Sequence, residues 1–171
     1  MKRYSVTYAR VPCIMNTMLT NDILRRVRYA LDLNDSKVIE LFALTGQKLD
    51  DDRLKSMFSK DDDEAFIPCP DEIAHRFFSG LIISLRGRKD GDSPSPVRTD
   101  RLSGNDVLWY IRIALSLRDD DVLAILKKGG MEIGKAELSA FFRKKDHSNY
   151  RPCQDQMLRN FLAGLTATYR P

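Results

Sequence analysis

Shifted by 84 positions, the chain overlays itself without a gap: "NDILRRVRYALDL" (21–33) falls on "NDVLWYIRIALSL" (105–117). The correspondence continues through Asp35 and Asp119, Val38 and Val122, Gly46 and Gly130, Leu54 and Leu138, and Phe58 and Phe142. It closes with a shared phrase, "IPCPD" (67–71) and "RPCQD" (151–155), after which Phe77, Gly80, Leu81 and Arg86 meet Phe161, Gly164, Leu165 and Arg170. Of 66 aligned pairs, 21 are identical. Self-similarity at one fixed period marks a repeated structural unit, so two homologous copies are expected.

The copies are assigned to 21–86 and 105–171. Residues 1–20 are set apart as an N-terminal extension. Residues 87–104, "GRKDGDSPSPVRTDRLSG", read as a linker rich in glycine, serine, proline and charge. Extended, such a linker reaches on the order of 60 Å. A unit of this size hides only ~60% of the surface its unfolded chain exposes, so each copy gains by burying a face against its twin. The expectation is an all-α protein, two homologous four-helix units in tandem, docked with pseudo-twofold symmetry.

The helices follow from periodicity. "NDILRRVRYALDL" opens with Thr20 or Asn21 as an N-cap and sets Leu24, Val27 and Leu31 along one stripe. A second helix spans about 35–44 and 119–128, capped by Asp35 in the first copy and stopped by glycine in both. A third covers roughly 51–59 and 135–144. The fourth starts after the cysteine, with Pro70 in its first turn and Ile73, Phe77, Leu81 and Leu85 at intervals of four.

Composition excludes some functions. No run approaches the ~18 apolar residues of a membrane helix, and "MKRYSVTYARVPCIMNTM" lacks the apolar centre of a signal peptide. Three cysteines suit free thiols in a reducing cytosol better than a disulfide framework. The net charge of +4 is unevenly spread: about +3 over 1–20, −3 over 21–86, +1 over 87–104 and +3 over 105–171. A dedicated nucleic-acid binder shows one coherent basic face, and the acidic first copy does not fit that.

Several residues carry chemistry. Cys69 and Cys153 sit where a helix N-terminus can acidify a thiol, but a small, half-buried cap residue packed under the preceding loop is the reading preferred, with the reactive thiol as the alternative. Zinc from Cys69, His75, His147 and Cys153 lacks the short paired spacing of structural sites, and neither metal nor cofactor is expected. Arg28 and Arg112 place a guanidinium on the apolar stripe of the first helix, where a charge needs a partner. Asp62, Asp146, Asp71 and Asp155 are the candidates for that ion pair, and an anion site is the rival reading. Gly80 and Gly164 interrupt the fourth helix and imply a close crossing, here expected between the copies. In 119–145, a short helix, a glycine turn and a helix offering Lys135, Arg143, Lys144 and Lys145 invite a helix-turn-helix reading.

"NDILRRVRYAL", "KDDDEAFIPCPD", "FFSGLI", "NDVLWYIRIALSLRDDDVLAIL" and "KDHSNYRPCQDQMLRNFLAGL" together resemble the bacterial YehS-like family, a duplicated domain of unknown function. The resemblance runs from about Met18 to the end, which implies that residues 1–17 reflect an upstream mis-assigned start. It brings no reaction, ligand or partner. The reading is therefore a cytosolic, non-enzymatic binding or regulatory module, monomer or homodimer, with a protein or small-molecule partner and no membrane. Nucleic-acid binding through the second copy and thiol-dependent chemistry are the alternatives.

Overall fold

Four helices appear in each copy because each stretch carries its own start and stop. The computed structural model describes residues 18–88 and 98–170; the reading of residues 1–17 lies outside them, as does Cys13. In the first repeat the helices are α1 (Thr20–Ala30), α2 (Asp35–Leu44), α3 (Asp51–Phe58) and α4 (Asp71–Arg86). In the second they are α5 (Gly104–Ala114), α6 (Asp119–Lys128), α7 (Lys135–Phe141) and α8 (Asp155–Tyr169). The described residues contain no strand, and none of their helices is long and apolar enough to cross a membrane.

The stops are built the same way twice. After α1 and α5 the chain turns through a left-handed residue, Asp32 (φ 51°) and Ser116 (φ 55°). The amides of Leu33 and Leu117 then close back onto the carbonyls of Arg28 and Arg112 at 3.0 and 2.9 Å. After α2 and α6 the left-handed position is Gly46 (φ 76°) and Gly130 (φ 87°), where a side chain would be strained. The starts differ from the sequence reading. The N-cap of α1 is Leu19, that of α2 is Asn34, whose side chain accepts from the Lys37 amide at 2.8 Å, and Pro70 stands at the N-cap of α4. The third helices end early, at Phe58 and Phe141, and Leu85 is half exposed, so the buried line of α4 stops at Leu81.

Within each repeat the second and fourth helices cross at a glycine. A Cβ on Gly80 would lie 2.1 Å from the Leu41 carbonyl oxygen, and one on Gly164 would lie 1.8 Å from that of Ile125. The crossing expected between the copies is therefore internal to each: α2 with α4, and α6 with α8.

The copies meet through other helices. α1 packs on α8 and α5 packs on α4, so the first helix of each repeat lies against the fourth of the other. The buried residues of both merge into one core, in which Phe78 stacks on Tyr110 with ring centroids 5.2 Å apart. The exchange is mirrored by a pair of arginines at the ends of the fourth helices. Arg170 donates to the Tyr29 carbonyl at 3.2 Å, pairs with Asp32 at 3.2 Å and lies over the Tyr29 ring. Arg86 donates to the Ile113 carbonyl at 3.3 Å and to the Ser116 hydroxyl. Tyr29 and Ile113 are equivalent positions, as are Asp32 and Ser116, which explains why non-glycine residues occupy those left-handed turns.

The α4–α5 side carries one addition. Buried His75 is held between the Tyr110 hydroxyl at 2.9 Å and the Asp100 carbonyl at 3.0 Å. Arg98 bridges Asp100 and Asp106, and its hydrogen bond holds the Asp100 carboxyl below the usual range, at about 2. The descending end of the linker is thus fastened to both helices.

Candidate functional site

The repeated proline–cysteine phrase is explained by an asparagine. Asn21, 3% exposed in the first turn of α1, donates through Nδ2 to the carbonyls of Met57 and Ile67, each at 2.8 Å. Its Oδ1 accepts from the Cys69 amide at 2.8 Å. Asn105 repeats this with Phe141, Arg151 and Cys153 at 2.8, 2.8 and 2.7 Å, and Tyr150 adds a hydroxyl bond to Oδ1 at 3.1 Å. Two carbonyls and one amide leave the side-chain amide a single orientation. Each asparagine thus ties the first helix to the end of the third and to the loop before the fourth. The sequence reading took Asn21 for a possible cap and did not single out Asn105.

The thiols beside this clamp are shielded. Burial, and after it the charges of Asp71 and Asp155, push Cys69 and Cys153 up to about 12. At neutral pH both stay protonated, which fits the small packed residue rather than the acidified thiol of the alternative reading. His75 serves the linker contact and His147 lies in an exposed turn, and among the described residues no three His, Cys, Asp or Glu side chains are grouped to hold a metal.

The arginines on the stripe also find different partners. Arg28 pairs with Asp35, donates to the Leu33 carbonyl at 2.9 Å and lies 4.9 Å from the Phe58 ring centre. Arg112 pairs with Asp119 at 2.7 Å and lies 4.5 Å from Phe142. The tight left-handed turn brings the start of the next helix within reach seven residues on, so Asp35 and Asp119 arrive before any more distant carboxylate. Of the aspartates expected there, Asp71 accepts from the Thr20 hydroxyl at 3.3 Å and Asp155 from the Met18 amide at 2.7 Å. Asp62 and Asp146 are exposed in turns. With each guanidinium engaged by a carboxylate and a ring, the anion-site reading loses its free cation.

The repeats differ most in one place. Residues 135–151 carry five lysines and arginines against two carboxylates; the equivalent 51–67 carry three against six. In the second repeat this segment, α7 and the loop before α8, walls an open groove of about 640 Å³ lined by Glu137, Arg143, Ser148, Asn149, Tyr150 and Arg151 among others. The two lining arginines fall on Ser59 and Ile67 in the first repeat, and Ser148 falls on Glu64. Arg151 is paired with Glu137 at 2.7 Å. Arg143 has only long contacts to neutral oxygens, Ser139 Oγ at 3.4 Å and the Asn149 carbonyl at 3.5 Å. Lys144 and Lys145 are exposed just past α7 and make no ion pair among the described residues. Lys135 stands apart, held by Asp120 at 2.7 Å, so the four expected cations do not form one helix face. A smaller cleft of about 270 Å³ near α1 mixes Asp22 and Asp61 with Arg25 and Arg159 and favours neither sign.

Comparison with known proteins returns the same two-copy layout. The family described as "Protein of unknown function (DUF1456)" matches residues 20–87 and again 104–170. The chain is 41% identical over 150 residues to "Uncharacterized protein YehS" of Escherichia coli (strain K12), covering 88% of this chain and 96% of that one. No solved structure matches it.

Proposed function

The chain belongs to the DUF1456 family, whose domain it carries twice, and from that premise we propose that it is a non-enzymatic binding module whose ligand-facing surface is the cationic groove of the second repeat. The observation that carries this is the reversal of charge between equivalent segments. The same backbone wall is cationic in one copy and acidic in the other, whereas the clamps, crossings and clasps that hold the fold are kept in both. A wall needed only for packing has no cause to change sign. An open groove holding Arg143 without a carboxylate, with Lys144 and Lys145 exposed next to it in the chain, attracts anionic ligands and gathers them by long-range attraction. The first repeat then acts as the scaffold that completes the core. The protonated thiols argue against cysteine chemistry. Among the described residues Cys69 and Cys153 are free thiols, which suits a reducing compartment and supports a cytosolic module.

Heparin chromatography tests the assignment. The full chain is expected to be retained at low salt, and Arg143→Glu/Lys144→Glu/Lys145→Glu to flow through. A reversal of equal charge elsewhere, Lys48→Glu/Lys127→Glu/Lys128→Glu, is expected to keep most of the retention. Equal loss in both triple variants would mean that only net charge matters and that the groove is not the surface.

A further inference from the structure

Resting on the assignment of the groove as the binding surface, we propose that its ligand is a single-stranded polynucleotide. Three features converge. First, Arg143 and Arg151 line the groove, and the exposed Lys144 and Lys145 follow Arg143 in the chain past the end of α7, so the cations sit on a loop rather than on one helix face, which suits a flexible phosphate chain. Second, Tyr150 lies in the groove wall, half-buried, with its hydroxyl pinned to Asn105 at 3.1 Å. A ring fixed by its polar end is a ready platform for a base, and stacking on an aromatic ring accepts every base. Third, Ser148 and Asn149 offer donors and acceptors beside the ring for base edges or phosphate oxygens.

Duplex binding by helix-turn-helix insertion is disfavoured by the same geometry. That mode reads bases with the N-terminal residues of the second helix in the major groove. Here α7 has only seven residues, its first, Lys135, is already neutralised by Asp120, and α6 brings Asp119, Asp120 and Asp121 to the same end. Those carboxylates repel phosphate where the duplex would dock, while the unpaired cations lie beyond the other end of α7. An acidic peptide, or the acidic wall of a second copy, would satisfy the cations but leave the tyrosine face unused.

The test is fluorescence anisotropy of the full chain with a labelled 12-nucleotide RNA, a DNA of the same sequence, the corresponding DNA duplex and polyglutamate, each over a range of salt. Both single strands are expected to bind at least tenfold tighter than the duplex and polyglutamate. With about three phosphates neutralised, by Arg143, Lys144 and Lys145, log K should fall with log salt at a slope of about −2. Tyr150→Leu should weaken binding about tenfold without changing the slope. Tyr150→Phe keeps the ring but loses the hydroxyl bond that fixes it, and should bind between the parent and Tyr150→Leu. Duplex binding as tight as single strands, or parent-like binding by Tyr150→Leu, would overturn the inference. Binding of polyglutamate without any nucleic acid would overturn it while leaving the cationic groove as the binding surface. No binding of any of the four probes would remove both.

Discussion

Asn21→Ala is expected to lower the unfolding free energy by about 3 kcal/mol, and Asn105→Ala by a similar amount. Removing the amide leaves the carbonyls of Met57 and Ile67 and the amide of Cys69 without their partner. Each buried polar group so abandoned costs ~1–3 kcal/mol, softened where water can enter. Asn105 is less buried than Asn21 but also receives the Tyr150 hydroxyl, so the two effects stay close. Asparagine to aspartate separates a clamp from a cap. A carboxylate is a good N-cap and tolerates a helix N-terminus. It can still accept from the cysteine amide, but it cannot donate to two carbonyls. Asn21→Asp should therefore be nearly as damaging as Asn21→Ala in urea unfolding, whereas a capping role would leave it close to the parent.

Gly80→Ala and Gly164→Ala should destabilise by about 2–3 kcal/mol each. Two effects oppose one another. Alanine favours a helix interior over glycine by ~1 kcal/mol. Against that, the new methyl would sit 2.1 or 1.8 Å from a carbonyl oxygen of the crossing helix, and backbone cannot swing aside as a long side chain can. Forcing a packed crossing apart costs ~1–3 kcal/mol and more where the contact is rigid, so the steric term wins. For a chain of this size the loss should appear as a fall in Tm of roughly 5–10 °C. A Tm equal to or above that of the parent would mean that α2 and α4 do not cross at Gly80.

Much of this was legible in the sequence because the repeat supplied an internal comparison. The second-helix bounds, 35–44 and 119–128, emerged directly from apolar spacing and terminal glycines. The recurrence of Gly80 and Gly164 announced a close approach, though not its partner, since which helix lies opposite depends on how the chain returns. Asn21 was misread, and Asn105 passed over, for a physical reason. Asparagine at a helix start has a strong local explanation, and its true partners lie 36 to 48 residues away, where no spacing rule reaches. The arginines erred in the opposite direction: a half-buried charge was seen to need a carboxylate, but a left-handed Asp32 or Ser116, which brings one from seven residues on, leaves no clear trace in sequence. The sign change between 51–67 and 135–151 could have been counted from the letters. Its gathering around a groove could not, because Arg143 and Arg151 belong to segments that only folding brings together.

Amide NMR shift mapping of the full chain with heparin offers the sharpest test of a binding face carried by one repeat and supported by the other. The expected result is a set of perturbed amides confined to residues 136–151, centred on Arg143, Tyr150 and Arg151, with 52–67 unmoved. Equal perturbation of both segments, or perturbation centred on the cleft beside Asp22, would contradict it.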